Sequence, residues 1–277
     1  MNFIKSGTDA AGNSIDLAYQ DWGTGKPVVL IHGWPVSHEM WEYQALELPK
    51  HGYRTIAYTR RGFGQSSKPW DGYDYDTLAD DLKAVLDGLD LQDVTLVGFS
   101  MGGGEVARYM NRHGGARVAK IVFVSAVPPF LLKTPDNPTG VDKSIFDEIV
   151  EGLKKDRADF LASFGKKFYG VGVLSSPVSE ATLDWNQMLA LAGSPKATIE
   201  CVRSFSETDF RLDLATIKVP TLIIHGDADQ TVPMAASGEQ TAKLVPHAQF
   251  LKYEGAPHGL FITEKDRLNR DLLAFIK

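Results

Sequence analysis

Six short apolar runs constrain what this chain can fold into more than any other feature. They are Val28–Ile31, Thr55–Tyr58, Val94–Phe99, Ile121–Val124, Thr221–Ile224 and Gln249–Tyr253. Most lack strict polar/apolar alternation, and a strand that is apolar on both faces has to be covered on both. A mostly parallel sheet with crossover helices on its two faces meets that demand. An earlier segment, Ser14–Asp21, does alternate through Ile15, Leu17 and Tyr19, and predicts an antiparallel edge strand. Between the runs, Tyr75–Leu89 sets Leu78, Leu82, Val85, Leu86 and Leu89 at steps of three and four, one apolar helical stripe. Met101–His113 and Lys265–Ile276 read the same way. The expected class is α/β.

The rhythm breaks between Phe130 and Ile217. A turn-rich stretch, Lys133–Gly140, leads into helical patterns at Phe146–Leu153, Ala158–Phe164, Leu183–Ala190 and Ala197–Phe205, with no apolar run of the strand type. An all-helical insertion between two strands predicts a lid over the edge of the sheet. Residues 1–129 and 218–277 are therefore expected to form the core, and 130–217 a helical cap.

Charge and cysteine usage narrow the function classes. Lys and Arg number 29 against 35 Asp and Glu, a net charge of −6, so no nucleic-acid or anionic-membrane partner is expected. No apolar stretch approaches the roughly 20 residues of a membrane helix, and Met1–Lys5 lacks the apolar run of a signal peptide. A cytoplasmic globule is the expectation. With one cysteine, Cys201, no intrachain disulfide can form and a cysteine-based metal site is not expected. Cys201 reads as a small buried hydrophobe.

The chemistry centres on Gly98-Phe99-Ser100-Met101-Gly102. The G-x-S-x-G pattern alone would arise by accident in about one chain of this length in ten. Here a buried-type strand runs into it and a helical pattern follows at once, the context in which a tight turn exposes a serine hydroxyl. Unpaired N–H groups at the helix start would face a developing oxyanion. Met101 would give one backbone donor. Trp34, in His32-Gly33-Trp34-Pro35 after the run Val28–Ile31, is the candidate for the second, because ligands gather at the carboxyl ends of parallel strands.

A serine nucleophile needs a base, and the base an orienting carboxylate. In strand–serine–helix enzymes the chain order is serine, acid, histidine. Of seven histidines, His32, His38, His51 and His113 come too early, His225 precedes the acid candidates, and His247 falls at the wrong edge. His258, in the turn Gly255-Ala256-Pro257-His258-Gly259, remains. For the acid, His225-Gly226-Asp227-Ala228-Asp229 offers two carboxylates. An Asx-turn role suits Asp227, and spacing leans towards Asp229 without excluding its neighbour.

HGWP at 32–35, RRGFGQS at 60–66, GFSMGGGEVARY at 98–109, HGDADQTVP at 225–233 and APHG at 256–259 carry a resemblance over essentially the full chain. The chain resembles the α/β-hydrolase fold, and within it the cofactor-free (non-heme) haloperoxidase or perhydrolase–arylesterase family. The resemblance implies a metal-free serine esterase with no cofactor. It makes Asp229 the triad acid beside Ser100 and His258, and Trp34 and Met101 the oxyanion donors. Small-molecule esters are the expected substrates, with hydrogen peroxide as an alternative acyl acceptor that yields a peracid. Pro35 is expected to favour the peroxide reaction by moving the Trp34 carbonyl inward. The pocket is expected to be short and apolar, suited to small acyl groups, and lined by Trp34, Phe99, Met101 and Val127 under Phe164 and Phe168 of the lid. By resemblance, Thr231 and Met234 close the acyl side. One departure stands out, since the family usually carries aspartate before Arg-Arg-Gly and this chain has Thr59. A lactonase or lactamase using the same triad, and a non-catalytic ligand-binding protein, are the alternative readings. A homo-oligomer is compatible with the sequence.

Overall fold

Strand β5 (Val94–Phe99) is buried along its whole length, and its residues alternate between two apolar layers. In the computed structural model, which describes residues 2–173 and 175–277, Val94 and Leu96 join one core cluster and Val97 and Phe99 the other. That period-two division is what a strand covered on both faces requires.

β5 lies inside an eight-stranded sheet of order β1-β2-β4-β3-β5-β6-β7-β8. The remaining strands are β1 (Asn2–Thr8), β2 (Ser14–Trp22), β3 (Lys26–Ile31), β4 (Tyr53–Tyr58), β6 (Val118–Val124), β7 (Thr221–Gly226) and β8 (Gln249–Tyr253). β1 and β2 run antiparallel, as do β2 and β4, and the rest of the sheet is parallel. Register brings the carboxyl ends level, pairing Ile31 with Gly98, Phe99 with Val124, Val124 with Ile224 and Gly226 with Tyr253. β3 has β4 on one side and β5 on the other, so the direction of winding reverses there and a crevice opens beyond Ile31 and Gly98.

Helices α1 (Glu42–Lys50), α10 (Leu260–Thr263) and α11 (Lys265–Ile276) cover one face, with Leu48, Leu260, Leu268, Leu272 and Ile276 in its core. α2 (Tyr75–Gly88) and α3 (Met101–Arg112) contribute Leu78, Leu82, Val85, Val106 and Met110 to the core of the other. Between β6 and β7 come α4 (Lys143–Lys155), α5 (Arg157–Phe168), α6 (Glu180–Leu191), α7 (Pro195–Glu207) and α8 (Arg211–Ala215), and α9 (Gly238–Leu244) follows β7. The four helical patterns of the insertion fall within α4 to α7. Serine or aspartate caps start three of these helices, with Asp156, Ser179 and Ser194 accepting from the N–H three residues on.

β2 is antiparallel as expected, with Ile15 and Leu17 buried, but it is not the edge. β1 pairs outside it, Phe3 opposite Ala18 and Ile4 opposite Leu17. β1 escaped notice because only Ser6 along it is buried, so it shows no apolar period. Beyond its ladder to β2 and the packing of Ile4, it is held by Ser6 donating to Asp81, whose carboxylate also takes a two-bond grip from Arg61 at 2.7 Å each. α8 is too short to display a helical period. Among the described residues no helix is long and apolar enough to cross a membrane.

Leu82 is fully buried in α2 and lies on the expected stripe. Leu82→Ala is expected to lower stability by about 2–5 kcal/mol through lost transfer energy and a residual cavity. Urea unfolding should show a lower midpoint at unchanged m, and kcat of the folded variant should match the parent.

Candidate active site

The turn after β5 is where backbone strain is concentrated. Ser100 has φ +53° and ψ −120°, a conformation L residues rarely adopt. Its flanking glycines are demanded by proximity. A Cβ on Gly98 would lie 2.6 Å from the Gly102 carbonyl oxygen, and one on Gly102 would lie 2.6 Å from the Ile31 carbonyl oxygen. Ser100 is pinned by its N–H to Val124 O (3.0 Å), and its carbonyl accepts from Gly103 and Val127 at 3.0 and 3.1 Å. The hydroxyl is thereby held at the start of α3.

His258 Nε2 lies 2.9 Å from Ser100 Oγ, and its Nδ1 lies 2.6 Å from Asp229 Oδ2. With Nδ1–H donating to the carboxylate, Nε2 is free to accept the serine proton. The imidazole is buried, with Phe99 tilted against it at 4.8 Å and Phe168 edge-on at 4.8 Å. Asp229 Oδ1 accepts the Thr231 and Val232 N–H groups at 2.9 and 2.8 Å. Burial alone would raise the Asp229 carboxyl. The charge His258 carries when protonated, with hydrogen bonds from His225 and His258, holds it well below the usual carboxylate range. It is therefore ionised around neutral pH.

Asp227 is exposed and does different work. Its carboxylate accepts Gly255 N–H at 2.7 Å and faces Lys252 Nζ at 3.3 Å, so it tethers the turn that carries His258. His247 sits at the opposite end of the strands, against the Val219 carbonyl at 3.1 Å.

The β3–α1 connection brings Gly33 against the elbow. A Cβ there would meet the Phe99 ring at 2.6 Å and Ser100 Cβ at 3.0 Å. Trp34 follows, joined to Pro35 by a cis peptide. Among the described residues neither the Trp34 nor the Met101 N–H has a protein acceptor. The Trp34 indole donates to the Thr198 carbonyl of α7 at 2.9 Å, and its ring packs edge-on to Phe164 and Phe205.

A cavity of about 360 Å³ opens from Ser100 between the sheet and the cap. Of the expected wall residues, Trp34, Val127, Phe164 and Thr231 line it. Phe99, Met101, Phe168, Pro35 and Met234 do not. Strand alternation points Phe99 into the layer with Trp41 and Phe261 and against His258. Phe168 is likewise spent on the imidazole and on Phe261. The Met101 side chain is buried in the core beneath α3. Pro35 stands off the cavity wall, which reaches only its neighbour Trp34, and Pro233 takes the wall position expected of Met234. Sequence reasoning missed Leu131, Phe146, Ile149, Phe160 and Phe205, all wall residues. A signal for two helices was available. Ile145, Glu148 and Ile149 on α4, and Phe160, Ser163, Phe164 and Lys167 on α5, lie at steps of three and four on one face.

Cys201 is fully buried in α7, and burial pushes its thiol up to about 12, which leaves it inert.

The profile of the alpha/beta hydrolase fold matches residues 26–265. The chain is 42% identical to non-heme chloroperoxidase CPO-A1 of Kitasatospora aureofaciens, over 95% of this chain and 97% of that protein. It is 43% identical to the bifunctional esterase/perhydrolase DCH of Acinetobacter calcoaceticus, over 96% and 97% of the two chains. The crystal structure of a bromoperoxidase from Bacillus anthracis superposes with TM-score 0.96 at 48% identity, over 99% of both chains. The serine-centred geometry and these matches agree, and the chain belongs to the α/β-hydrolase fold family, among the relatives of non-heme haloperoxidases and perhydrolase esterases.

Proposed function

We propose that this enzyme hydrolyses carboxylic esters of small molecules through an acyl-serine at Ser100, with hydrogen peroxide able to replace water as acyl acceptor. The observation that carries the proposal is the continuous hydrogen-bond path Ser100–His258–Asp229, at 2.9 and 2.6 Å, opening into an apolar cavity. Ser100 Oγ attacks the ester carbonyl while His258 Nε2 takes its proton. Asp229 keeps the imidazole in the right tautomer and stabilises the imidazolium. The Trp34 and Met101 N–H groups hold the oxyanion. Collapse expels the alcohol, which takes the proton back from His258. Water or peroxide then gives a proton to His258 and attacks the acyl group, and the carboxylic acid or peracid leaves as Ser100 is reprotonated. The peroxide arm rests on kinship with the haloperoxidases and the esterase/perhydrolase.

Residues 1–129 and 218–277 serve as the catalytic core and 130–217 as the cap, a division supported by the position of α4 to α8 between β6 and β7. The walls, built from Trp34, Phe146, Phe160, Phe164 and Phe205, suit an aryl or alkyl group. The volume leaves room for an aryl leaving group beside a small acyl group.

Ser100→Ala is expected to lower p-nitrophenyl acetate hydrolysis by roughly 10⁴-fold or more and to abolish labelling by a fluorophosphonate. Retention of most activity would refute the assignment. The two aspartates should separate sharply, Asp229→Asn losing about 10⁴-fold in kcat and Asp227→Asn only a few-fold. Parallel kinetics on the two purified variants decide between them. Pro35→Leu should lower the ratio of perhydrolysis to hydrolysis, measured as peracid against free acid released from one ester. An unchanged ratio removes Pro35 from that role.

A further inference from the structure

The oxyanion donors need an orientation that the backbone of a glycine-containing loop does not supply by itself. The Trp34 N–H and the Gly33 carbonyl belong to one peptide, which is planar and trans, so they point in opposite directions. Whatever fixes the Gly33 oxygen therefore fixes the direction of the Trp34 N–H.

That oxygen is held by a buried imidazole. His32 Nδ1 lies 2.7 Å from Gly33 O, and His32 Nε2 lies 2.9 Å from the Arg60 backbone N. A carbonyl only accepts and an N–H only donates, so the ring has its proton on Nδ1 and its lone pair on Nε2. Burial, with the Arg60 guanidinium nearby, pushes this imidazole well below its ordinary pKa, so it stays neutral. Arg60 also donates through Nη2 to the His32 carbonyl at 2.7 Å. The guanidinium is ion-paired with Glu105, and Tyr58 donates its hydroxyl to the same carboxylate at 2.6 Å. Glu105 stands on α3, the helix whose first residue is Met101. Arg60, Glu105 and His32 are all buried and none lines the cavity.

We propose that His32 is a positioning residue for catalysis: it aims the Trp34 N–H at the oxyanion by gripping the Gly33 carbonyl, while Arg60 and Glu105 lock the ring and reference the loop to the helix that carries the second donor. The inference rests on the acyl-serine reading above. An aimed donor matters in the transition state, where charge develops on the carbonyl oxygen, far more than in the ground state. Its loss therefore appears in kcat with KM held.

The test compares His32→Ala, His32→Asn and His32→Gln. An asparagine amide nitrogen reaches the place of Nδ1 and keeps the grip on Gly33, whereas a glutamine amide reaches the place of Nε2 and loses it. For p-nitrophenyl acetate, kcat is expected to fall about 100-fold in His32→Ala and His32→Gln at KM within twofold. His32→Asn should recover at least tenfold of that loss. The affinity of phenylboronic acid, which forms a tetrahedral adduct with the serine, should fall in step with kcat/KM across the series. Should His32→Ala prove insoluble, the order of Asn above Gln decides the matter. Activity within threefold of the parent in His32→Gln, or Gln equal to or above Asn, overturns the proposal, as does boronate affinity that stays constant while kcat falls. Fluorophosphonate labelling of the unmutated enzyme separates the two failures. No label at Ser100 refutes the acyl-serine reading, while a normal label beside a normal His32→Gln refutes this inference alone.

Discussion

A serine at positive φ, wedged between two glycines, is the constraint on which the remaining structure depends. The turn can be that tight only because Gly98 and Gly102 let the end of β5, the start of α3 and the end of β3 approach to distances a Cβ would forbid. Parallel register then does the rest. Ile31 lies opposite Gly98 and Val124 opposite Ile224, so the loops bearing Trp34, Ser100, Val127 and Asp229 leave the sheet at one level. Each loop needs to travel only a few residues to reach its partner. His258 arrives from one strand further, and its turn is tethered by Asp227 to the loop that carries Asp229. The strain at Ser100 is a local cost of order 1–3 kcal/mol that the surrounding packing over-determines.

The cap is better described as a roof than as a loose lid. Its ties to the core are made by backbone groups and buried side chains at several separated points. The Gly259 N–H bonds the Phe168 carbonyl at 2.8 Å, the Ser194 N–H bonds the Gly62 carbonyl at 2.7 Å, and the Trp34 indole bonds the Thr198 carbonyl. Phe210 N–H closes onto Pro129 O at 2.7 Å where the insertion returns to the core. These contacts place Phe168 against His258 and Phe164 against Trp34, so the imidazole and the Trp34 loop each lean on the insertion. A cavity framed in this way is largely preformed.

Legibility in the sequence followed the length scale of the forces involved. The parallel strands are legible as unbroken apolar runs, and α2, α3 and α11 as apolar stripes at helical spacing, because burial on a face selects residue type at each position. Ser100 and His258 were readable from a local turn and from chain order. The two aspartates were not separable by spacing, since both sit in the same short turn; what distinguishes them is the distant Gly255 N–H for one and His258 for the other. β1 has no apolar period to display, because only Ile4 packs on the core and the strand is otherwise held by its ladder to β2 and by Ser6 reaching Asp81 across 75 residues. The pocket was misjudged for a similar reason. Phe99 and Phe168 are expected on the wall, yet strand alternation and the helix face turn both towards the imidazole.

Position 59 shows how a departure from the family pattern can be absorbed without disturbing the site. The Thr59 hydroxyl oxygen lies 2.6 Å from His38 Nδ1 and accepts the His38 backbone N–H at 3.2 Å, while its own carbonyl takes the Ser66 hydroxyl at 2.6 Å. An aspartate there would favour a charged imidazole by placing a carboxylate against it. With threonine, burial holds His38 below its ordinary pKa against the opposing pull of Glu39. Burial thus disfavours charge on the imidazole four residues beyond Trp34, as it does on His32 two residues before it. The loop carrying the Trp34 N–H is thus flanked on both sides by imidazoles on which burial disfavours charge. In the acyl-serine mechanism proposed above, the positive potential at the oxyanion comes from backbone N–H groups and the start of α3, which are fixed in place and do not titrate.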